Sequence, residues 1–474
     1  MAVLAIDQGT SGTKAIVVHE GVVVAQAEVA VRPTYLESGG VEQDPQALLE
    51  SVLEAGREAV RASPATIEAV SLANQGESVL AWDRESGKPL SPVIVWQDRR
   101  AESICADLSE RAADVRSLTG LVLDPYFSAP KMSWLRRNVT SEGVVTTTDS
   151  WLIHQLTGEF VSDASTASRS LLMDISSGEW DQDLFSLFGL GDEQRPKIVG
   201  CDTVVGSTNS FGGDIPLAGL IVDQQAALLA ENCVSPGESK CTFGTGAFLL
   251  ANTGTWPALS DPALTSSIAW ELRGSRVYCV DGQVYTAASA IRWLVDLGLI
   301  NDPSELDTAA ASDSMGVFCV PAFAGLAAPW WQPEAKASFT GLTLSTNRGQ
   351  FVRAVLEGIS AQVATLIRAV AVQLDDSMTT LRVDGGLTQS TVLMQAVADI
   401  AQVNVEVFPS AHATALGAAA LCQMSIDQEA RLQDTIPPWI PRATFQPKWT
   451  EGRAVRFLDE WSAGIALEPE GRAS

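Results

Sequence analysis

Two short turns of small and polar residues, one near the start of each half of the chain, constrain the fold most strongly. Residues 3–18 contain two apolar runs joined by Asp-Gln-Gly-Thr-Ser-Gly-Thr at positions 7–13. Residues 240–250 repeat this order around Gly-Thr-Gly at positions 244–246. Short apolar runs separated by glycine-containing turns predict β-hairpins. The repeat therefore predicts two related halves, connected through the Pro- and Gly-containing segment 231–238.

The segments around these turns follow strand patterns and helix patterns in an α/β order. Asp44 and Pro45 are suited to the start of a helix, as N-cap and first residue. A chain of 474 residues is too long for one ordinary core. We therefore predict two domains, residues 1–231 and 232–474. The patterns predict strands at 3–6, 15–18, 22–29, 67–72, 79–82, 240–243, 247–250 and 381–383, and helices after Asp44, over 351–372 and after the turn at 384–386.

Composition excludes several functional classes. A formal net charge of −26 repels nucleic acid and anionic membranes, so neither is expected as a partner. No run approaches the roughly 20 apolar residues that span a bilayer, and the chain starts on a strand rather than a signal peptide. Seven cysteines without CxxC spacing and three distant histidines argue against disulfides, a zinc site or a Ser-His-Asp triad. We therefore expect a cytoplasmic protein.

The two hairpin turns have the chemistry of a phosphate site. A tight turn without bulky side chains exposes consecutive backbone N–H groups that can bind phosphate oxygens. Asp7, at the end of the first apolar run, is placed to hold a hydrated Mg²⁺, and Lys14 to meet a phosphate or a carboxylate. Either hairpin alone is better explained as an ordinary turn, because short glycine motifs are common. Their occurrence in both halves favours a nucleotide held between two domains.

Two long segments resemble the sequence patterns of one kinase family. Residues 126–138 fit the first pattern of the FGGY carbohydrate kinases, and residues 337–357 fit the second. The resemblance extends from about residue 3 to about residue 460 and is strongest to the glycerol kinases within that family. It implies two actin-like ATPase (ribonuclease H-like) domains, each a mixed β-sheet flanked by helices, with the active site in the cleft between them.

The resemblance also implies residue roles. Asp223 matches the catalytic base, and Glu77, Tyr126 and Gln224 match polyol-binding positions. Trp96 and Phe248 match aromatic walls, although packing in a core explains them equally well. The implied cofactors are ATP and Mg²⁺, with Asp7 placing the metal, and we expect a homo-oligomer, a dimer or a tetramer. The implied nucleotide-side residues are Thr10, Ser11, Gly12, Lys14, Gly244, Thr245, Ala288, Arg292, Gly386 and Ser390.

The chain departs from the pattern of glycerol kinases at the polyol site. Gly76 stands where the family has an arginine directly before the residue equivalent to Glu77, and Val222 replaces a glycine. Loss of a charged donor is expected to weaken glycerol binding by about 1.5–3 kcal/mol unless another group compensates. Arg99 or Arg100 is one candidate for that group. A second interpretation is that the vacated space admits a longer or differently branched polyol.

Other departures concern the nucleotide and regulation. Ala288 and Arg292 replace a glycine and a glutamine, and both replacements are compatible with nucleotide binding. The segment 208–214 lacks the basic element that binds fructose 1,6-bisphosphate in bacterial glycerol kinases, so we do not expect that regulation.

These features leave several functions open. ATP-dependent phosphorylation of glycerol to glycerol 3-phosphate is the leading hypothesis, followed by a kinase for erythritol, xylulose or ribulose. An actin-like ATPase without a sugar substrate, or a non-catalytic ligand sensor, is the alternative from another class. The combination of Asp223 with the predicted polyol residues and both family patterns argues against the ATPase, and the retained Asp7 and Asp223 argue against the sensor.

Overall fold

A computed structural model describes residues 1–37, 39–260, 263–374 and 378–466. The first half contains β1 Ala2–Gln8, β2 Gly12–His19, β3 Val22–Ala30, β4 Thr34–Tyr35, β5 Val41–Gln43, α1 Pro45–Ala62, β6 Ala69–Asn74, β7 Val79–Trp82, β8 Val93–Ile94, α2 Glu102–Asp107, α3 Ala112–Thr119, α4 Ser128–Asn138, β9 Val144–Thr147, α5 Thr148–Thr157, β10 Val161–Asp163, α6 Ala164–Ala167, β11 Met173–Asp174, β12 Glu179–Trp180, α7 Gln182–Leu187, β13 Lys197–Val199, β14 Ser207–Thr208, β15 Ile215–Val222 and α8 Asp223–Ala230.

The second half contains β16 Ser239–Phe243, β17 Ala247–Gly254, β18 Thr265–Leu272, β19 Ser275–Val284, α9 Ala288–Asp296, α10 Leu306–Ala309, β20 Phe318–Val320, β21 Ser338–Thr340, α11 Arg348–Leu374, β22 Thr380–Asp384, α12 Thr391–Ala401, β23 Asn404–Val407, α13 Ala413–Ile426, α14 Leu432–Thr435, β24 Ala443–Phe445 and α15 Glu451–Ala466.

The first large sheet has the strand order β14-β15-β6-β1-β2-β3. Strand β1 pairs antiparallel with β2 and parallel with β6, so the predicted meander is extended by parallel strands on its other side. Helix α1 packs on this sheet and begins where the sequence predicts, because the Asp44 carboxylate accepts a hydrogen bond from the Gln46 amide at 2.9 Å. The apolar residues of β1 and β2 are buried on both faces of the sheet, and every second one belongs to the core beneath α1.

The second large sheet repeats this pairing in the order β18-β19-β17-β16-β22-β23-β24. Strand β16 pairs antiparallel with β17 and parallel with β22, as β1 does with β2 and β6. Two mixed sheets with the same central hairpin, each flanked by helices, confirm the predicted fold class. Helix α11 is long and apolar enough to cross a membrane, but 72% of its most apolar 18-residue window is buried, and it packs in the core of this half.

Two helices bring the halves together. Helix α8 packs against α13, and α13 also packs on β15, β6 and β1 of the first sheet. The approach is so close that a Cβ on Gly417 would lie 2.0 Å from the Ala226 carbonyl oxygen. A helix of the second half thus covers the first sheet. The boundary between residues 231 and 232 falls in the connection after α8 and stays a prediction.

Candidate active site

The first hairpin turn is shorter than the sequence predicts. The small and polar residues 7–13 predict a turn, but β1 continues through Gln8 and β2 begins at Gly12. Pairing with two neighbouring strands keeps Asp7 extended, opposite Lys14 on β2 and Ala73 on β6. Only residues 9–11 turn, closed by a hydrogen bond from the Gly9 amide to the Gly12 carbonyl at 3.0 Å. The tip therefore presents Thr10 and Ser11 to the cleft.

Asp7 lies among other charged groups at the base of this hairpin. Burial raises the pKa of its carboxyl to about 6, Lys14 opposes the rise, and Asp384 at the end of β22 adds to it. One carboxylate oxygen of Asp384 is buried without a hydrogen-bond partner. A carboxylate that is deprived of water and faces another carboxylate favours a nearby cation. The position of Asp7 thus suits its predicted part in holding Mg²⁺.

The second hairpin turn is attached to the start of helix α9. The Gly244 amide donates to the Gly246 carbonyl at 2.9 Å, and the Ala288 amide donates to the Gly244 carbonyl at 3.0 Å. Beside both hairpins lies a cavity of about 750 Å³ with two arginines in its wall, of which Arg32 was not predicted. Cationic side chains and hairpin tips around one cavity suit a polyphosphate. The lining residues are Ser11, Arg32, Pro33, Tyr35, Thr245, Ala288, Ser289 and Arg292.

A second, smaller cavity of about 190 Å³ lies between the two hairpins. Thr10, Ser11, Gly244 and Thr245 reach it from the hairpins. Every residue predicted for the polyol site lines this one cavity, although these residues are spread over more than 170 positions of the sequence. They are Gly76, Glu77, Trp96, Tyr126, Asp223, Gln224 and Phe248.

Three aromatic rings form one wall of the small cavity. The Trp96 ring lies edge-on to Tyr126 at 5.6 Å and to Phe248 at 5.8 Å between ring centroids. Trp96 also donates from Nε1 to the Thr10 hydroxyl at 2.9 Å, which ties this wall to the first hairpin. Phe248 comes from the second half and the other rings from the first. The wall therefore spans the cleft; Trp96 and Phe248 both line the cavity and pack on the cores behind it, and their contact with a substrate stays a prediction.

Asp223 is the first residue of α8, directly after the buried strand β15. Loss of water contact raises the pKa of its carboxyl to about 7, and the nearby carboxylates of Asp7 and Glu77 contribute to the rise. The Gln224 amide and Lys240 oppose it. A carboxylate whose pKa lies near neutrality is suited to accept a proton at physiological pH.

A buried arginine that sequence reasoning missed organises the polar wall. Arg169, which follows α6, donates from Nε to the Glu77 carboxylate and from Nη1 to Asp281 Oδ1, the latter at 3.0 Å. Burial raises the pKa of Glu77, and the guanidinium opposes that rise. The sequence held two signals of this ion pair: an arginine within the stretch of small residues 164–170 and an aspartate inside an apolar strand. Both positions predict burial, and buried charges must pair.

The expectation that Arg99 or Arg100 takes the place beside Glu77 is wrong. Arg99 pairs with Glu102 and Asp124, at 2.9 and 3.4 Å. Arg100 is held by Asp98 and by Glu42, the latter pair at 2.7 Å. Both guanidinium groups are therefore engaged with other carboxylates, and the group that meets Glu77 is Arg169.

The two departures at the polyol site are in direct contact. A Cβ on Gly76 would lie 2.8 Å from Val222 Cγ2, closer than real Cβ atoms approach a neighbour. Both residues line the small cavity. The space beside Gly76 is thus partly filled by an apolar side chain, which reduces the room that the missing arginine was expected to leave.

The remaining predicted nucleotide residues lie away from the small cavity. Gly386 begins the turn after β22, and open space surrounds the position of a Cβ there. Ser390 caps α12 by accepting from the Leu393 amide at 3.2 Å and donates to Asp307 Oδ1 at 2.6 Å. Its hydroxyl is therefore engaged within the protein, and a contact with adenosine stays a prediction.

Comparison with known families finds one family over most of the chain. Residues 2–230 match the N-terminal domain of the FGGY family of carbohydrate kinases, and residues 239–426 match its C-terminal domain. Among similar proteins, a glycerol kinase from Thermus brockianus is 39% identical over 98% of this chain and 97% of its own length. A glycerol kinase from Trichlorobacter lovleyi is also 39% identical, over 98% of each chain.

Solved structures of carbohydrate kinases superpose on the whole chain. A Plasmodium falciparum glycerol kinase with ADP superposes with a TM-score of 0.91 and 30% identity, over 99% of each chain. A xyloylose kinase from Brucella ovis superposes with a TM-score of 0.85 and 25% identity, again over 99% of each chain.

Proposed function

The chain belongs to the FGGY family of carbohydrate kinases, and from that premise we propose that it phosphorylates glycerol to glycerol 3-phosphate with ATP. The observation that carries the proposal is the small cavity between the two hairpins, which holds Asp223 and the polar groups suited to a polyol. The sequence similarity to glycerol kinases over the full chain supports glycerol as the acceptor.

Asp223 is the proposed general base. Its carboxylate takes the proton of the attacking hydroxyl while the oxygen bonds to the γ-phosphorus and the bond to the bridging oxygen of ADP breaks. A free alcohol is a poor nucleophile, so removal of this proton as the new bond forms lowers the barrier. With a pKa near 7, about half of the carboxyl is ionised at neutral pH and most of it above, so the base form is available there.

The two hairpins are the proposed phosphate clamp. Thr10 lines the small cavity, and Ser11 and Thr245 line both the small and the large cavity, so the proposed phosphate donors are these hydroxyls and the backbone amides at the hairpin tips. Asp7 is the proposed carboxylate for Mg²⁺, which when bound offsets the charge of the phosphates. Among the described residues no three His, Cys, Asp or Glu side chains form a metal cage. Mg²⁺ commonly binds one or two carboxylates and keeps phosphate and water ligands, so Asp7 fits this mode.

The polar wall orients the acceptor. Glu77 accepts from polyol hydroxyls, and Arg169, which lines the same cavity, holds its carboxylate in place. Gln224 supplies a donor, and the rings of Trp96 and Phe248 pack on the carbon chain. Groups that are fixed before substrate arrives increase the rate by removing orientational freedom from the reaction.

A kinase for a longer polyol or a ketose is the second candidate. The glycine at position 76 removes a charged side chain from the cavity, and Val222 leaves an apolar surface there. Such a surface does not select for a hydroxyl at that end of the acceptor. The resemblance to a xyloylose kinase structure is compatible with this interpretation.

A substrate panel tests the proposal. ADP release is measured with glycerol, erythritol, dihydroxyacetone, xylulose and ribulose. We expect the highest kcat/KM with glycerol, and the Asp223→Asn variant should lose at least about 10³-fold in kcat because it removes the base. The kcat/KM of the unmodified chain should fall about tenfold per pH unit below about 7, as the Asp223 carboxyl becomes protonated.

The control variant is Asp214→Asn, on an exposed loop, which should keep full activity. ATP binding without turnover of any acceptor would refute the kinase proposal, and a preference for erythritol or a ketose would select the second candidate. We also propose a cytoplasmic homo-oligomer, and the acidic composition disfavours a nucleic-acid partner. Light scattering of the purified chain tests the oligomeric state.

A further inference from the structure

Lys240 is completely buried on β16, one layer behind the small cavity. Its Nζ donates to Gln224 Oε1 at 2.5 Å and to Thr242 Oγ1 at 2.7 Å. Both acceptors line the small cavity, whereas Lys240 itself does not. A buried ammonium group costs several kcal/mol unless it is paired, so these two contacts restrict where it can lie.

The contact with Lys240 decides the orientation of the Gln224 side chain. An ammonium group only donates hydrogen bonds, so the amide oxygen must face Lys240. The NH2 group of Gln224 must then point the other way, toward the cavity. In the described part of the chain this NH2 group makes no other hydrogen bond. Without the lysine, oxygen and nitrogen could exchange places by rotation of the amide, and half of the orientations would present an acceptor instead of a donor.

The surroundings of Lys240 explain why a cation is kept there. Burial raises the pKa of Asp223 and of Glu231, and the charge of Lys240 opposes both shifts. Both carboxylate oxygens of Glu231 are buried without a hydrogen-bond partner. The lysine therefore lies near carboxyls at both ends of α8, and its charge favours the ionised form of each.

We propose that Lys240 is a positioning residue for the acceptor substrate, which holds Gln224 with its NH2 group turned toward the polyol. The inference rests on the proposed function and adds a residue that acts through Gln224 rather than by touching the substrate. A fixed donor rejects acceptors that lack the matching hydroxyl, because the buried NH2 group is then left unpaired.

A double-mutant cycle tests this role. The variants are Lys240→Met, which keeps the length and removes the donors, Gln224→Ala, and the two together. Lys240→Met should raise the polyol KM about tenfold, the loss expected for one oriented hydrogen bond, with little change in the ATP KM. In the Gln224→Ala background the same substitution should change the polyol KM by less than about twofold, because the group through which it acts is gone.

The matched control is Arg353→Met, which removes a buried cation that pairs with Glu357 on α11, away from both cavities. It should lower Tm and leave both KM values unchanged. Equal effects of Lys240→Met in both backgrounds, or equal rises in both KM values, would show a merely structural lysine and overturn the proposal.

Two further measurements keep the cycle decisive. If Lys240→Met does not fold, Thr242→Val takes its place in the cycle, because it removes the second hydrogen-bond acceptor that holds the lysine. A rise in polyol KM caused by Thr242→Val that persists in the Gln224→Ala background contradicts the proposal. The cycle is also measured as polyol Kd by calorimetry, which requires no turnover. Failure of every acceptor in the unmodified chain refutes the proposed function, whereas turnover with an additive cycle refutes only the role of Lys240.

Discussion

At the scale of single residues, the contact between Gly76 and Val222 changes how the polyol site is understood. From the sequence, an arginine at position 76 is expected to improve glycerol turnover by restoring a donor. In the structure, the first side-chain atom of that arginine would lie 2.8 Å from Val222 Cγ2. Valine is stiff about χ1, so it cannot rotate away easily. The two positions therefore act together.

We predict that Gly76→Arg alone lowers kcat/KM for glycerol about tenfold, because overpacking costs about 1–3 kcal/mol. The double variant Gly76→Arg with Val222→Gly should recover at least the activity of the unmodified chain, since the valine methyl groups no longer occupy the space. Steady-state kinetics with glycerol and erythritol measure both effects, and Val222→Gly alone is the control. Equal activity of the single and the double variant would contradict this coupling.

At the scale of elements, the pair α8 and α13 determines where the base lies. Asp223 starts α8, and α8 is held against α13 at the close approach of Gly417 to the Ala226 carbonyl. Helix α13 in turn packs on the first sheet. The position of the carboxylate therefore depends on a helix that comes from the other end of the chain.

We predict that Gly417→Val lowers both Tm and kcat. The substitution forces α8 and α13 apart, which costs at least about 1–3 kcal/mol of stability, and a displacement of the base by about 1 Å costs on the order of 10²-fold in rate. Thermal unfolding and kinetics measure the two effects. Gly452→Ala on α15 is the control, because a Cβ added there would lie 4.0 Å from its nearest neighbour, Arg456 Nη1. Unchanged kcat in a folded Gly417→Val protein would show that the helix contact does not position Asp223.

At the scale of the whole molecule, the buried carboxyls link stability to pH. Burial raises the pKa of Asp7 and of Asp149 to about 6 and that of Asp223 to about 7, against about 4 in an unfolded chain. Between about pH 4 and pH 7 these three carboxyls therefore bind more protons in the folded state than in the unfolded state. Their contribution to the free energy of unfolding falls as the pH rises through this range.

We predict a higher Tm for the ligand-free protein at about pH 5.5 than at about pH 8. Each pKa unit by which folding raises the pKa of a carboxyl contributes about 1.4 kcal/mol to the free energy of unfolding at low pH. The net charge of −26 acts in the same direction through repulsion. Asp223→Asn separates the two effects, because it removes one buried carboxyl and changes the surface little. Calorimetry should show a smaller dependence of Tm on pH in this variant, and an unchanged dependence would assign the effect to surface charge.

Much of the fold was predictable because its signals are local. Strand β7 and the start of α1 lie where the apolar pattern and the Asp44–Pro45 cap predict them. The sequence predicts a turn at Asp7 because a polar residue is unfavourable in an isolated strand, and the pairing of Asp7 with β2 and β6 overrides that preference. The extent of a strand depends on neighbours that the local sequence does not contain.

The amino-acid sequence alone determined the two-halved α/β fold, the kinase family and the residue types in the small cavity. The signals for these features are hairpin turns, long family patterns and residue chemistry, all of which can be read along the chain. Tertiary packing was needed to establish that Arg169 rather than Arg99 or Arg100 meets Glu77. It also placed Val222 beside Gly76 and Lys240 against Gln224. The first two contacts join elements far apart in the chain, whereas the contact of Lys240 with Gln224 joins the consecutive elements α8 and β16 across the connection between the two halves. Their geometry follows from how sheets and helices pack, which no local pattern encodes.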